Sequence, residues 1–204
     1  MDRIRNLLER IISDRTIHER WLATLSYLEN RGARKVMAFQ PDRDLSLTML
    51  RHAAEEARHA YFFKKQITRL TDDVADCYPL LGGHMGRRYL HRLDIGICRA
   101  LKDGLGYHER MLKDASYLLT TLAIEERAAI LYPLYHEVLA ANNFKISLTG
   151  IINEEDNHLA EINEELAGQP ELEPYAKKAR EIENSLFDSF ITAVDREVVA
   201  KCAV

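Results

Sequence analysis

Ile4, Leu7, Leu8, Ile11 and Ile12 stand three or four positions apart, the spacing of one apolar helix face, and predict a short amphipathic helix at the start of the chain. The same spacing continues through Trp21, Leu22, Leu25, Glu29, Ala33 and Val36 and predicts a longer second helix. Thr16-x-x-Glu19 reads as the capping box that opens it. Pro41 closes it, because proline disfavours helix at the residue before it. Asp42 is then the expected cap of a third helix carrying Leu47, Leu50, Ala53, Ala57, Phe63, Ile67 and Leu70.

Residues 71–106 hold most of the chain's punctuation, in Thr71-Asp72-Asp73, Pro79, Gly82-Gly83, Gly104 and Gly106, around a helical stretch at about 86–103. A connection of that length, with turns at both ends, can carry the chain from one end of a bundle to the other. A very long helical segment follows at about 107–141, which Pro133 is expected to kink or break. After a turn at Asn142-Asn143, another helix places Leu148, Ile151, Ile152, Glu155, Leu159, Ile162 and Leu166 on one side, and Gly168-Gln169-Pro170 stops it. The last helix, about 172–200, has an apolar stripe through Tyr175, Ala179, Ile182, Leu186, Phe190, Ala193 and Val198. That stripe suits packing across a bundle or against a second copy of the chain, as in a homodimer. The expected fold class is all-α: two helices, a long crossover, two helices and a tail, in a single domain spanning 1–204.

Composition narrows the picture without changing it. The chain has 204 residues, of which 9 are Gly and 5 Pro, which favours few long helices over many short strands. Net charge is -4 with no concentrated basic stripe, so nucleic acid is not an expected partner. The basic run Arg87-Arg88-Tyr89-Leu90-His91-Arg92 reads as a solvated helix face. Cys77, Cys98 and Cys202 lie far apart and form no CxxC pair, which excludes a disulfide framework and a zinc ribbon. The charged N-terminus does not resemble a secretory signal, and no apolar run reaches membrane-span length. A cytoplasmic protein is the expectation.

The chemistry lies in a repeated motif. Glu55-Glu56-Ala57-Arg58-His59 and Glu154-Glu155-Asp156-Asn157-His158 each read Glu-Glu-x-x-His inside an apolar helical stretch. Positions i and i+3 share a helix face, so Glu56 points with His59 and Glu155 with His158. Each Glu interrupts a stripe that should enter the core, where an isolated carboxylate is costly and pairs, binds metal or takes up a proton. Glu29 interrupts the second helix in the same way. On the long helix two residues compete: Glu126, between Leu119-Leu122 and Ile130-Pro133, and Glu125, on a face of Leu118, Thr121, Leu122, Ala129 and Tyr132. The Glu126 stripe is slightly more apolar and is preferred. Glu29 to Glu56 spans 27 positions and Glu126 to Glu155 spans 29, so the chain reads as two similar helix pairs. His18, His52, His84, His91, His108 and His136 lack such a pattern and read as structural or solvated, with His52, one turn before Glu56, the nearest to an exception.

Over about 16–167 this layout resembles the ferritin-like di-iron carboxylate superfamily, which includes rubrerythrins, aldehyde-deformylating oxygenases and small quinone-type hydroxylases. That resemblance implies a four-helix bundle with a long crossover, extended here by an N-terminal and a C-terminal helix. It implies a metal site built from one Glu on each of two helices and Glu-x-x-His on each of the other two. Carried over residue by residue, Glu29, Glu56, His59, Glu126, Glu155 and His158 would be the metal ligands. Glu56 and Glu155 would bridge the ions and serve as the catalytic carboxylates, with Glu55, Arg58 and Glu154 as candidates to orient the ligands. Four carboxylates and two imidazoles suit two iron ions, or manganese at one or both positions, better than structural zinc.

The implied activity is an oxygen-dependent oxidoreductase, an oxidase or oxygenase acting on a small or lipophilic organic substrate. The chain has no rubredoxin motif and no nucleotide-binding glycine loop, so electrons would come from an external donor. Two other classes compete: a ferroxidase or peroxide-reducing iron-handling protein, and a non-enzymatic helical interaction protein.

Overall fold

The computed structural model describes residues 2–38, 45–72 and 78–202. Among them every regular element is helical: α1 (Asp2–Ser13), α2 (Arg15–Ala38), α3 (Leu47–Gln66), α4 (Gly83–Leu105), α5 (Glu109–Ala141), α6 (Thr149–Ala167) and α7 (Glu173–Cys202). Short 3-10 turns at Ile67–Arg69 and Pro170–Leu172 follow α3 and precede α7. The fold class is all-α. No described helix is long and apolar enough to cross a membrane.

Local chemistry explains the boundaries, and in places corrects the expectations. The α2 cap is Asp14 rather than Thr16, since Asp14 Oδ1 accepts from the Ile17 N–H at 2.9 Å. That bond, followed by the Lys201 ammonium 2.9 Å away, holds the Asp14 carboxyl below its ordinary pKa. Ser46 caps α3 by accepting from the Met49 N–H at 3.2 Å. Pro41 and Asp42, the expected end of α2 and start of α3, lie outside the described residues. Pro133 does not break α5, which runs unbroken from Glu109 to Ala141. An internal proline costs about 3 kcal/mol; here its neighbours Leu131, Tyr132, Leu134, Tyr135 and Val138 are all buried, so burial on both sides holds the helix together. Gly82 turns the chain into α4 at φ +71, a conformation costly for a side-chain-bearing residue, and a Cβ there would stand 2.7 Å from the Phe190 ring.

Packing divides the chain into two compact units. The first comprises Met1–Arg87, Glu137–Ser147 and Phe190–Val204. Within it α2 lies along α3, stitched by the Ser26 hydroxyl donating to the Ala60 carbonyl at 2.7 Å. Trp21 stacks on Phe190 at 6.4 Å between ring centroids, and α1 is tied down by Arg5 to Glu137 and Arg10 to Asp195, each at 2.5 Å. The second unit comprises Arg88–His136 and Leu148–Ser189. Its core joins Leu93, Ile97 and Leu101 of α4 with Leu118, Leu119 and Leu122 of α5, Ile162 and Leu166 of α6, and Ala176 and Ala179 of α7. Along both units α7 buries its stripe within its own chain, through Ala176 and Ala179 in the second and Phe190, Val194 and Val198 in the first.

His18 illustrates what burial does to a titrating group in the first unit. Its ring is buried edge-on to Phe144, 5.1 Å between centroids, and loss of solvent pushes its pKa down to about 4. The folded protein keeps this imidazole neutral while the unfolded chain protonates it below about 6.5. The unfolded state therefore binds the extra proton, and stability falls as pH drops from about 6.5 to about 4. Between pH 7 and 4.5 the wild-type protein is expected to lose about 2–3 kcal/mol more than His18→Gln. Urea denaturation at both pH values measures the difference, and equal losses would remove His18 from the account.

Candidate metal centre

The first unit brings together Glu29 and two residues of the repeated motif. Glu29 projects from the middle of α2, while Glu56 and His59, one helical turn apart, project from α3. Glu29 and His59 are 7% and 1% exposed, and Glu56 is half-buried. One carboxylate oxygen of each Glu and one ring nitrogen of His59 lie within 4.8 Å of one another. His59 Nδ1 stands 3.8 Å from Glu29 Oε2, beyond hydrogen-bond reach.

The second unit repeats the arrangement. Glu125 comes from α5, and Glu155 and His158 from α6; they are 3%, 2% and 1% exposed. Their ligand atoms again lie within 4.8 Å of one another, with His158 Nδ1 at 3.8 Å from Glu125 Oε1 and 3.5 Å from Glu155 Oε2. In both units a histidine nitrogen faces, at the same distance, the carboxylate of a neighbouring helix.

Glu126, the other α5 candidate, has a different neighbour. The slightly more apolar stripe favoured it over Glu125, yet its carboxylate is gripped by Arg180 of α7, whose Nε donates at 2.9 and 3.0 Å and whose second nitrogen donates at 2.8 Å. Glu125 is the residue that stands with Glu155 and His158. The stripes alone could not decide, because what occupies Glu126 is a guanidinium 54 positions away in sequence. Of the residues expected to orient the ligands, Arg58 is exposed, Glu55 is half-buried with Arg51 Nε at 3.7 Å, and Glu154 is half-buried. His52 is buried and lies 3.4 Å from an Arg51 nitrogen.

Two carboxylates and an imidazole this close and this dry oppose folding unless protons or cations offset their charge. Hard oxygens with a borderline nitrogen, and no sulfur, form a donor set for a divalent first-row ion such as iron or manganese. Cys98, the one free thiol among the described side chains, is engaged elsewhere, 3.1 Å from the Ser116 hydroxyl. The residues present therefore fit a divalent cation in each unit. The chain matches no protein-family model, and comparison with curated proteins and with solved structures gives no match either.

Proposed function

We propose that the chain is an oxygen-activating di-iron oxidoreductase, with manganese an alternative at one or both positions, and that α2, α3, α5 and α6 form a ferritin-like bundle around its metals. The observation that carries this reading is the matched pair of buried Glu, Glu and His groups, one per unit. Glu29 with His59, and Glu125 with His158, would each hold one ion. Glu56 would complete the first group and Glu155 the second, and Glu125 takes the place in which Glu126 had been expected.

Bound iron would supply electrons for reducing O2. The protein's part is to hold and shield. The imidazoles of His59 and His158 would each offer one nitrogen to the ion of their own group. In each group the negative charge of two carboxylates would offset that of a divalent ion. Burial of Glu29, His59, Glu125, Glu155 and His158 limits their contact with water, which strengthens the electrostatic contacts among them.

A wide, shallow surface depression of about 690 Å³ on α2 and α3, lined by Ala33, Arg34, Met37, Leu50, Ala53 and Ala57, offers an apolar surface on which a lipophilic organic substrate could lie. Ala33 stands one turn beyond Glu29, and Ala53 and Ala57 flank Glu56 on the same helices. The reading is tested by metal analysis of protein produced with added iron, followed by oxygen uptake from the ferrous protein with and without a reductant. About two irons per chain, with oxygen uptake accelerated by a medium-chain aldehyde, alcohol or quinone, is the expected result. Rapid ferrous turnover that no organic compound alters would move the protein to iron handling. Failure to take up Fe(II) or Mn(II) would leave a helical interaction protein.

A further inference from the structure

We propose that Gly32 is a positioning residue for the Glu56 carboxylate: it opens a notch in α2 in which that carboxylate is seated. The inference rests on the reading of Glu56 as a metal ligand. Gly32 lies well inside α2, one turn beyond Glu29, where glycine is a poor helix former and alanine the best. Its backbone does not require glycine, since the positive-φ glycines of the described chain are Gly82, Gly83 and Gly106. What it supplies is space. A Cβ at position 32 would stand 2.7 Å from Glu56 Oε2 and 3.3 Å from Glu56 Cδ. Outside the backbone of α2 itself, the three nearest atoms to that point all belong to Glu56, the third being Cγ at 3.9 Å.

A methyl group at 2.7 Å forces something to move, and the atom in its way is the tip of a flexible side chain. Alanine at position 32 therefore leaves α2 intact and turns the Glu56 carboxylate away from Glu29 and His59. A glycine unfavourable for the helix stands where the Glu56 carboxylate needs the space. The conflict between helix stability and ligand position gives opposite signs for two measurements on one variant.

The test is a double-mutant cycle of Gly32→Ala and Glu56→Ala on the full chain, freed of metal and titrated with Mn(II) by calorimetry, with melting of the metal-free proteins alongside. Gly32→Ala is expected to weaken Mn(II) binding about 10–100-fold when Glu56 is present, the range for losing a group that orients a ligand, and to leave binding unchanged in the Glu56→Ala background. In that second background, with the carboxylate gone, Gly32→Ala should raise the melting temperature by about 2–4 °C, and by less when Glu56 is present. Equal losses of affinity in both backgrounds, or equal melting gains, would overturn the proposal. A wild-type chain that binds neither Mn(II) nor Fe(II) would sink the metal reading instead, while the melting cycle still decides whether Gly32 and Glu56 are coupled.

Discussion

Glu125→Gln is expected to weaken divalent metal binding more than about 100-fold and, in the metal-free protein, to raise stability rather than lower it. Removing a group that merely orients a ligand costs about 10–100-fold in affinity, so removing a ligand from a buried triad should exceed that range. The stability gain follows from the same geometry. Glu125, Glu155 and His158 are each at most 3% exposed, with ligand atoms within 4.8 Å of one another. Two carboxylates so placed repel each other or are forced to take up protons, and a neutral amide of the same shape removes one charge from the conflict. Glu126→Gln is the contrast. Glu126 and its partner Arg180 are about a third exposed, 29% and 36%, so losing that ion pair should cost no more than about 1 kcal/mol and leave metal binding within about two-fold. Metal titration and urea denaturation of both variants decide the matter. If Glu126→Gln is the variant that abolishes binding, the assignment of the α5 carboxylate is wrong.

Helices were legible in the sequence wherever burial is one-sided. The predicted segments at about 86–103, 107–141 and 172–200 correspond to α4, α5 and α7 within a few residues. Glu-x-x-His was legible because i and i+3 share a face whatever the tertiary structure does. Adjacent residues are a different matter. Glu125 and Glu126 are separated by about 100° around α5, and both faces of this helix are apolar enough to be buried somewhere. Choosing between them needs the position of Arg180, which only the folded chain supplies. The cap at Asp14 was missed for a local reason, since Thr16-x-x-Glu19 imitates a capping box two residues later. Gly32 did carry a signal, a glycine inside an amphipathic helix one turn from a core glutamate, but its meaning depends on which side chain from α3 lies across it.

The largest stability effect is expected away from the Glu and His groups, at Glu183 of α7. It is buried, and its carboxylate accepts from both Arg127 nitrogens, at 2.7 and 2.8 Å, and from the Tyr89 hydroxyl. Arg127 in turn lies over the Phe187 ring at 3.9 Å and donates to Asn184 at 2.6 Å. Burial, then the Glu183 charge and hydrogen bond, push the Tyr89 phenol well above its ordinary pKa, so it acts as a neutral donor throughout the working range. Glu183→Leu would leave the Arg127 guanidinium buried with its main counter-charge gone and the Tyr89 hydroxyl without its acceptor. Breaking one side of a buried pair costs about 3–5 kcal/mol, whereas replacing the whole set by apolar groups is often neutral or stabilising. The expected result is therefore that Glu183→Leu alone destabilises by about 3–5 kcal/mol in urea denaturation. Glu183→Leu combined with Arg127→Met and Tyr89→Phe should recover most of that loss. Because Arg127 is two positions from Glu125 on α5, the single variant should also weaken metal binding, and the triple variant should restore only the stability if Arg127 helps to hold α5 in register. A single variant as stable as the wild type would mean that Arg127 reaches water when released, and that the network fixes the second unit less firmly than its burial implies.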